Sequence, residues 1–216
     1  MILFTIRLQP IVSLRSRQIF GYEVLSEVPK GINIAEWFEQ RGPSQLLQLR
    51  TSQLRTLARH GIKAKFFVNL TTATLVNDET VAALLQESSP GIIELQDPLT
   101  LSGLTLCALR RLGVNIRRLQ QAGYEIWLDD YLSNYHDTMD NAGLRFDGVK
   151  LDRAAFQQYR NNVVDATHLI NEARRFGALV LAEGIENQHD LRTAWLAGAD
   201  LAQGFYWPEY SIPAAS

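Results

Sequence analysis

Eight short segments, at residues 2–8, 18–24, 64–70, 91–95, 125–128, 148–151, 179–182 and 201–206, are apolar and rich in β-branched or aromatic side chains. Runs of this length and composition read as strands. Between most of them, apolar residues recur at the three- and four-residue spacing of a helix. Leu46, Leu47, Leu49, Leu54 and Leu57 outline one helix; Leu106, Leu109, Leu112, Ile116 and Leu119 outline a second, which Gly113 is expected to break or kink. Val164, His168, Leu169, Ala173 and Phe176 outline a third. Gly61, Gly123, Gly177 and Gly198 stand where these helices should stop, since glycine takes a left-handed conformation at little cost. Strand–helix alternation along the whole chain predicts a parallel α/β architecture. Eight strands favour a closed, TIM-like (β/α) barrel over an open doubly wound sheet, and no glycine-rich loop follows the first strand as a dinucleotide fold would require. Residues 10–17 leave no room for a crossover helix, so the first two strands should form a hairpin and make the barrel irregular. With no linker or composition break, residues 1–216 read as one domain with a peripheral tail at 208–216.

Side chains that are costly to bury stand at the C-terminal ends of these segments: Glu23, Asn69, Glu94, Asp129 with Asp130, Lys150, Glu183 and Gln203. In a barrel those ends converge on one face, where active sites are built. Taken singly, each has an ordinary explanation. Glu23 suits a solvated strand end, Asn69 a cap for a helix beginning near Thr71, and Asp129–Asp130 a helix N-terminus. Their recurrence after nearly every strand, in a chain only 20% charged, favours a site instead. Carboxylates brought together repel and raise one another's pKa unless cations neutralise them. An oxygen-rich, cysteine-free set favours a hard ion such as Mg²⁺ or Mn²⁺, and Asp129–Asp130 could bridge two of them. Two such ions suit attack of water on a phosphodiester.

The 21 basic and 23 acidic residues give a net charge of −2, which supplies no basic field for duplex nucleic acid. One cysteine, Cys107, excludes an internal disulfide and fits a reducing compartment. No apolar run reaches membrane-spanning length. Residues 1–9 read as a strand rather than a signal peptide, so a cytoplasmic location is expected. His60, His136, His168 and His189 lack zinc-motif spacing. Trp37, Trp127, Trp195 and Trp207 read as core or rim aromatics, Trp207 being nearest the inferred mouth. Arg110, Arg111, Arg117 and Arg118 read as a solvated helix face.

The same residues, in the same order, resemble the EAL family, bacterial phosphodiesterases that open cyclic di-GMP to linear pGpG. Gln9-Pro10-Ile11-Val12 is similar to the family's opening Q-P-I segment, Glu23-Val24-Leu25 to the name-giving triplet, and Val68-Asn69-Leu70 to N-L-S. Glu94-Leu95-Gln96-Asp97, Leu128-Asp129-Asp130-Tyr131 and Lys150-Leu151-Asp152 follow. Ala182-Glu183-Gly184-Ile185-Glu186 and Gln203-Gly204-Phe205 complete the series. The resemblance implies a barrel whose first strand runs antiparallel. It also implies metal ligation by Glu23, Asn69, Glu94, Asp129, Asp130 and Glu183, with Glu23, Lys150 and Glu183 as the catalytic groups. Lys150 would hold the attacking water, and Glu183 would act as ligand or general base. Gln9, Leu25 and Gln203 would contact the cyclic dinucleotide. A homodimer, and a sensory or adaptor partner outside the chain, are further implications.

Three positions depart from the family pattern. Glu27 stands where an arginine usually contacts a substrate phosphate, which predicts a weaker grip unless Arg50 or Arg153 compensates. Tyr131-Leu132-Ser133-Asn134 replaces a glycine-containing loop, so a restricted backbone is expected there. Asp97-Pro98 replaces a glutamate, and the C-terminal proline is displaced to Pro208. The leading expectation is an active cyclic di-GMP phosphodiesterase. The alternatives are a catalytically silent sensor or protein-binding module on the same scaffold, and a barrel phosphodiesterase for another cyclic or linear dinucleotide.

Overall fold

The computed structural model of the chain describes residues 5–27, 31, 37–38, 40–96 and 98–213. Strands β1 (Ile6–Ser13), β2 (Ile19–Ser26), β3 (Phe66–Thr71), β4 (Ile92–Gln96), β5 (Glu125–Tyr131), β6 (Phe146–Leu151), β7 (Gly177–Ala182) and β8 (Leu201–Gln203) form one sheet, joined at its outer edge by β9 (Tyr210–Ile212). The order β2-β3-β4-β5-β6-β7-β8-β1, together with a β1–β2 pairing, closes the sheet into a barrel. β2 to β8 pair in parallel, whereas β1 is antiparallel to both β2 and β8. The expected irregular barrel with an antiparallel first strand is therefore present.

Helices α1 (Pro43–Arg59), α2 (Thr72–Val76), α3 (Asp78–Leu84), α4 (Leu106–Gln121), α5 (His136–Ala142), α6 (Arg153–Tyr159), α7 (Val163–Arg174) and α8 (Gln188–Leu196) connect the strands. α4 runs unbroken through Gly113, which is buried close to Leu144 and the Ala142 carbonyl instead of kinking the helix. In α7, Ala166, Leu169, Ile170 and Ala173 face inward, while Val164 and His168 face solvent. Arg110, Arg111, Arg117 and Arg118 are exposed on α4, as a solvated face requires.

Four boundaries differ from the sequence reading. β1 extends through Pro10 to Ser13, because residues 11–13 pair with β8 while residues 6–8 pair with β9. Pro10 lies at the break between those two partners, where its missing N–H costs the ladder nothing. Gly177 opens β7 and does not cap a helix; it stands against the backbone of Gly148, where a side chain has no room. Gly61, Gly123 and Gly198 do take left-handed φ values of 68°, 94° and 92°. The eighth strand stops at Gln203, because Gly204 (φ 155°) turns the chain so that Tyr206 N–H donates to the Ile185 carbonyl. The tail is not peripheral: β9 pairs with β1, and Ile212 is buried among Ile6, Leu8, Val24 and Leu57.

Inside the barrel, Ile11, Phe67, Ile92, Trp127, Leu181 and Leu201 pack into an apolar floor. The Phe67 and Trp127 rings meet edge-on with centroids 5.1 Å apart. Gly148 pairs with Trp127 across β5 and β6, and the indole fills the space a Cβ would need. Gly148→Ala is expected to lower unfolding free energy by about 1–3 kcal/mol, the usual cost of overpacking. Urea denaturation measures this; an unchanged midpoint would show that the floor is loosely packed.

Candidate metal centre at the barrel mouth

Strand side chains alternate between the two faces of a sheet, so residues two apart share the lumen. One step along from each floor position stands a polar one. Asn69 follows Phe67, Glu94 follows Ile92, Asp129 follows Trp127, Lys150 follows Gly148, Glu183 follows Leu181 and Gln203 follows Leu201. Glu23 follows Gly21 on β2, and on antiparallel β1 the same step runs backwards, from Ile11 to Gln9. The apolar floor thus carries a ring of polar groups, and the strand-end residues singled out in the sequence meet there.

At the centre stands the Lys150 ammonium, only 1% exposed. Its Nζ lies 2.8 Å from Glu183, 2.9 Å from Asp129, 3.2 Å from Glu23 and 3.3 Å from Glu94. Glu23 also accepts hydrogen bonds from Asn69 Nδ2 (3.0 Å) and from Gln203 Nε2, which donates to Gln9 Oε1 as well (2.8 Å). Asn69 is therefore not the helix cap that its position allowed. Thr71 caps α2 through Thr74 N–H, leaving the Asn69 side chain to the site. Nor does Asp129–Asp130 begin a helix. The pair lies within β5 at an irregularity in the β5–β6 register, with Asp129 buried and Asp130 exposed in a left-handed conformation (φ 48°).

These groups fit a cation. Glu23, Glu94 and Asp129 present carboxylate oxygens within 4.8 Å of one another, and Asp129, Asp130 and Glu183 form a second such set that shares Asp129. Asn69 Oδ1 and Glu94 Oε2 are buried with no hydrogen-bond donor, while Asp129 Oδ1 and Glu94 Oε1 have only the shared Lys150 ammonium. Buried acceptors without donors are costly, and a hard, oxygen-seeking ion would satisfy them.

Burial raises Glu94 well above the ordinary carboxylate range, with Glu23, Asp129 and Glu183 adding to the shift against Lys150. Asp129 is raised for the same reason, Asp130 is pushed up to about 6, and Glu183 to about 8. Glu23 moves the other way: burial disfavours its charge, but Lys150, Gln203 and Asn69 outweigh burial and hold it below the usual value.

The mouth, about 280 Å³, is lined by Gln9, Glu23, Leu25, Asp129, Lys150, Glu183 and Gln203, so all three expected substrate-contact residues reach it. A larger groove of about 640 Å³ between α1 and α3 holds no converging carboxylates. The sequence reading missed Arg7, Phe205 and Glu209, which also line the mouth. For Arg7 the signal was available, since it stands two residues from Gln9 on the same strand face. Trp207 packs at the edge of the core, and the exposed mouth aromatic is Phe205. Arg50 is no phosphate ligand: it is buried on α1 and paired with Glu87 at 2.7 Å. Leu132 is extended (φ −126°), so the lost glycines impose no left-handed residue there. Asp97 lies outside the described residues, and Pro98 begins a short 3₁₀ turn.

The EAL domain family model matches residues 3–210. The chain belongs to the EAL domain family. A probable cyclic di-GMP phosphodiesterase of Escherichia coli K12, PdeB, is 26% identical over 215 residues, covering 92% of this chain and 40% of PdeB. The uncharacterized y4lL of Sinorhizobium fredii is 26% identical over 218 residues, covering 93% of this chain and 26% of its own. The chain thus spans well under half the length of these curated relatives. Klebsiella pneumoniae BlrP1, in its calcium and cyclic di-GMP complex, superposes with TM-score 0.75 at 18% identity, over 96% of this chain and 58% of BlrP1. A standalone EAL protein of Vibrio cholerae bound to c-di-GMP gives 0.65 at 20% identity, over 94% and 90% of the two chains. At such identities these structures bear on the fold alone. Among the described residues of this EAL domain, no helix is long and apolar enough to cross a membrane.

Without bound cations, the folded EAL domain keeps protons on Asp130 and Glu183 up to about 6 and about 8, whereas the unfolded chain releases them near 3.8 and 4.5. The stability contributed by these protonated groups is therefore present at acid pH and lost as pH rises through those folded values. The thermal midpoint of chelator-treated protein should fall by about 3 °C or more between about pH 5 and about pH 9, and Glu183→Gln should flatten the fall. A profile that rises with pH across this window would contradict the assignment.

Proposed function

We propose that this EAL domain hydrolyses cyclic di-GMP to linear pGpG, using two divalent cations, Mg²⁺ or Mn²⁺. Glu23, Asn69, Glu94, Asp129, Asp130 and Glu183 would hold them. The observation that carries the reading is the pair of carboxylate sets sharing Asp129, lined by buried acceptors without donors. Membership of a family that includes the probable phosphodiesterase PdeB supports it, as do the cyclic di-GMP complexes of BlrP1 with calcium and with manganese. When bound, such ions neutralise the carboxylates, acidify a water and offset charge on phosphoryl oxygens.

The remaining roles fall to the protein's own groups. Lys150 Nζ orients the water and faces charge developing on the phosphoryl group. Glu183 stands at the open side of the ring, placed to take the water's proton. Gln9, Leu25 and Gln203 seat the dinucleotide over the ring. The water oxygen bonds to phosphorus in line as the bond to the ribose 3′ oxygen breaks. That oxygen leaves with a proton, and the linear product keeps its 5′-phosphate.

A second reading, a sensor that binds the dinucleotide without cleaving it, is favoured by one observation. A carboxylate, Glu27, stands beside the mouth residue Arg7, at the position where the resemblance implies a phosphate-gripping arginine. Chromatography of products with Mg²⁺ or Mn²⁺ separates the two. The expected result is conversion to pGpG, lost by about 10³-fold or more in Glu23→Ala. Binding of cyclic di-GMP with no turnover under either metal from about pH 6 to about pH 9 would overturn the enzymatic reading in favour of the sensor.

A further inference from the structure

We propose that Arg7, on the first strand, supplies the guanidinium that grips a substrate phosphate at the mouth. The inference rests on the cyclic dinucleotide reading and adds a binding residue to it. In the β1–β2 register Arg7 faces Leu25, and Gln9 faces Glu23. Arg7 therefore stands on the lumen side, one layer above the Glu23 ring, and it lines the same mouth as Glu23, Asp129, Lys150 and Glu183. Its Nε comes within 3.8 Å of Glu27 Oε1, so the guanidinium occupies the neighbourhood of the residue where the family arginine is lost. The cation at this place is carried by β1, beside the end of β2.

The group is also oriented for an anion. Glu209, just before β9, accepts a hydrogen bond from Arg7 Nη1 at 3.0 Å and fixes the guanidinium plane. Arg7 Nε is buried without a hydrogen-bond partner, since 3.8 Å to Glu27 is too long for one. Nε and the adjoining Nη2 form the edge that takes a phosphate bidentately, and a phosphate oxygen would satisfy the orphaned donor. Of the two arginines expected to compensate, Arg153 also lines the mouth and Arg50 does not. Arg50 is buried under Glu87, and Arg153 is paired with Glu186 with its guanidinium 5.2 Å over the exposed Phe205 ring. In this arrangement Glu209 positions Arg7, while Glu27, half exposed, competes with the phosphate for the same cation.

Titration calorimetry of the full chain with cyclic di-GMP in Ca²⁺, the ion of the BlrP1 complex, tests this. Arg7→Met should weaken binding about tenfold or more, the loss expected for a hydrogen-bonded charge pair. Arg7→Lys should recover part of that loss, and Arg153→Met should cost less than Arg7→Met. Glu27→Gln should tighten binding about threefold, because it removes an exposed competing charge. Wild-type affinity in Arg7→Met overturns the inference and leaves the cyclic dinucleotide reading standing. Absence of binding by the wild type overturns both. Should Arg7→Met fail to fold, Glu27→Gln decides the matter, and an unchanged affinity there overturns the inference.

Discussion

Four carboxylates converge on one ammonium inside this barrel, and the polar half of the structure depends on that contact. Burying an ion without a partner costs several kcal/mol even after relaxation, so Glu23, Glu94, Asp129 and Glu183 could not share the lumen without Lys150. One positive charge nonetheless cannot balance four negative ones. The metal-free site resolves the excess by holding protons: Glu94 stays well above its ordinary range and Glu183 is pushed up to about 8, while Glu23, with the best hydrogen bonds, keeps its charge. Protons fill the place that cations would take. Lys150 therefore keeps the ring assembled in the absence of metal, without exhausting its capacity for positive charge.

The barrel makes this arrangement possible through its layers. Phe67 and Trp127 close the lumen below the ring, which excludes water from beneath and leaves the carboxylates one open side. The indole fits only because β6 carries Gly148 opposite it and β7 carries Gly177 against Gly148. Two glycines without left-handed backbones thus set how wide the lumen is at its floor, and hence where the polar ring above must converge. Low local dielectric strengthens the contacts to Lys150 and also raises the cost of each acceptor left without a donor. The same enclosure that holds the ring together makes it a strong acceptor for cations.

Much of this was legible in the sequence, for a specific reason. In parallel strands the site residue follows the apolar run directly, so Asn69, Glu94, Asp129, Lys150 and Glu183 stand out as polar interruptions at predictable places. Strands covered on both faces also read as continuous apolar runs, which located β3 to β7 well. The errors fall where pairing rather than composition sets the outcome. β1 runs on to Ser13 because two different strands cover successive halves of its edge, and β9 exists because Ile212 finds the apolar cluster around Leu8 and Val24. Neither is a local property of the residues concerned. Gly177 shows the same limit: from the sequence it resembles Gly61 and Gly198, and only its neighbour across the sheet distinguishes close approach from a helix stop.

The antiparallel first strand explains why the mouth was read less well than the ring. Seven strands bring their C-terminal ends to the mouth, so a residue nearer the substrate comes later in the chain. On β1 the order is reversed, and Arg7 lies nearer the opening than Gln9 although it precedes it. A search that follows each apolar run forward to its polar end overlooks any group that β1 contributes. The reversal also frees the rim from the ring. The ring residues are fixed by alternation with the floor, and moving one by a single position would turn it out of the lumen. The rim is less tied to one element, because guanidinium groups from β1 and from the start of α6 both line the same opening. The phosphate contact proposed for Arg7 can therefore sit at the rim without disturbing the carboxylates below.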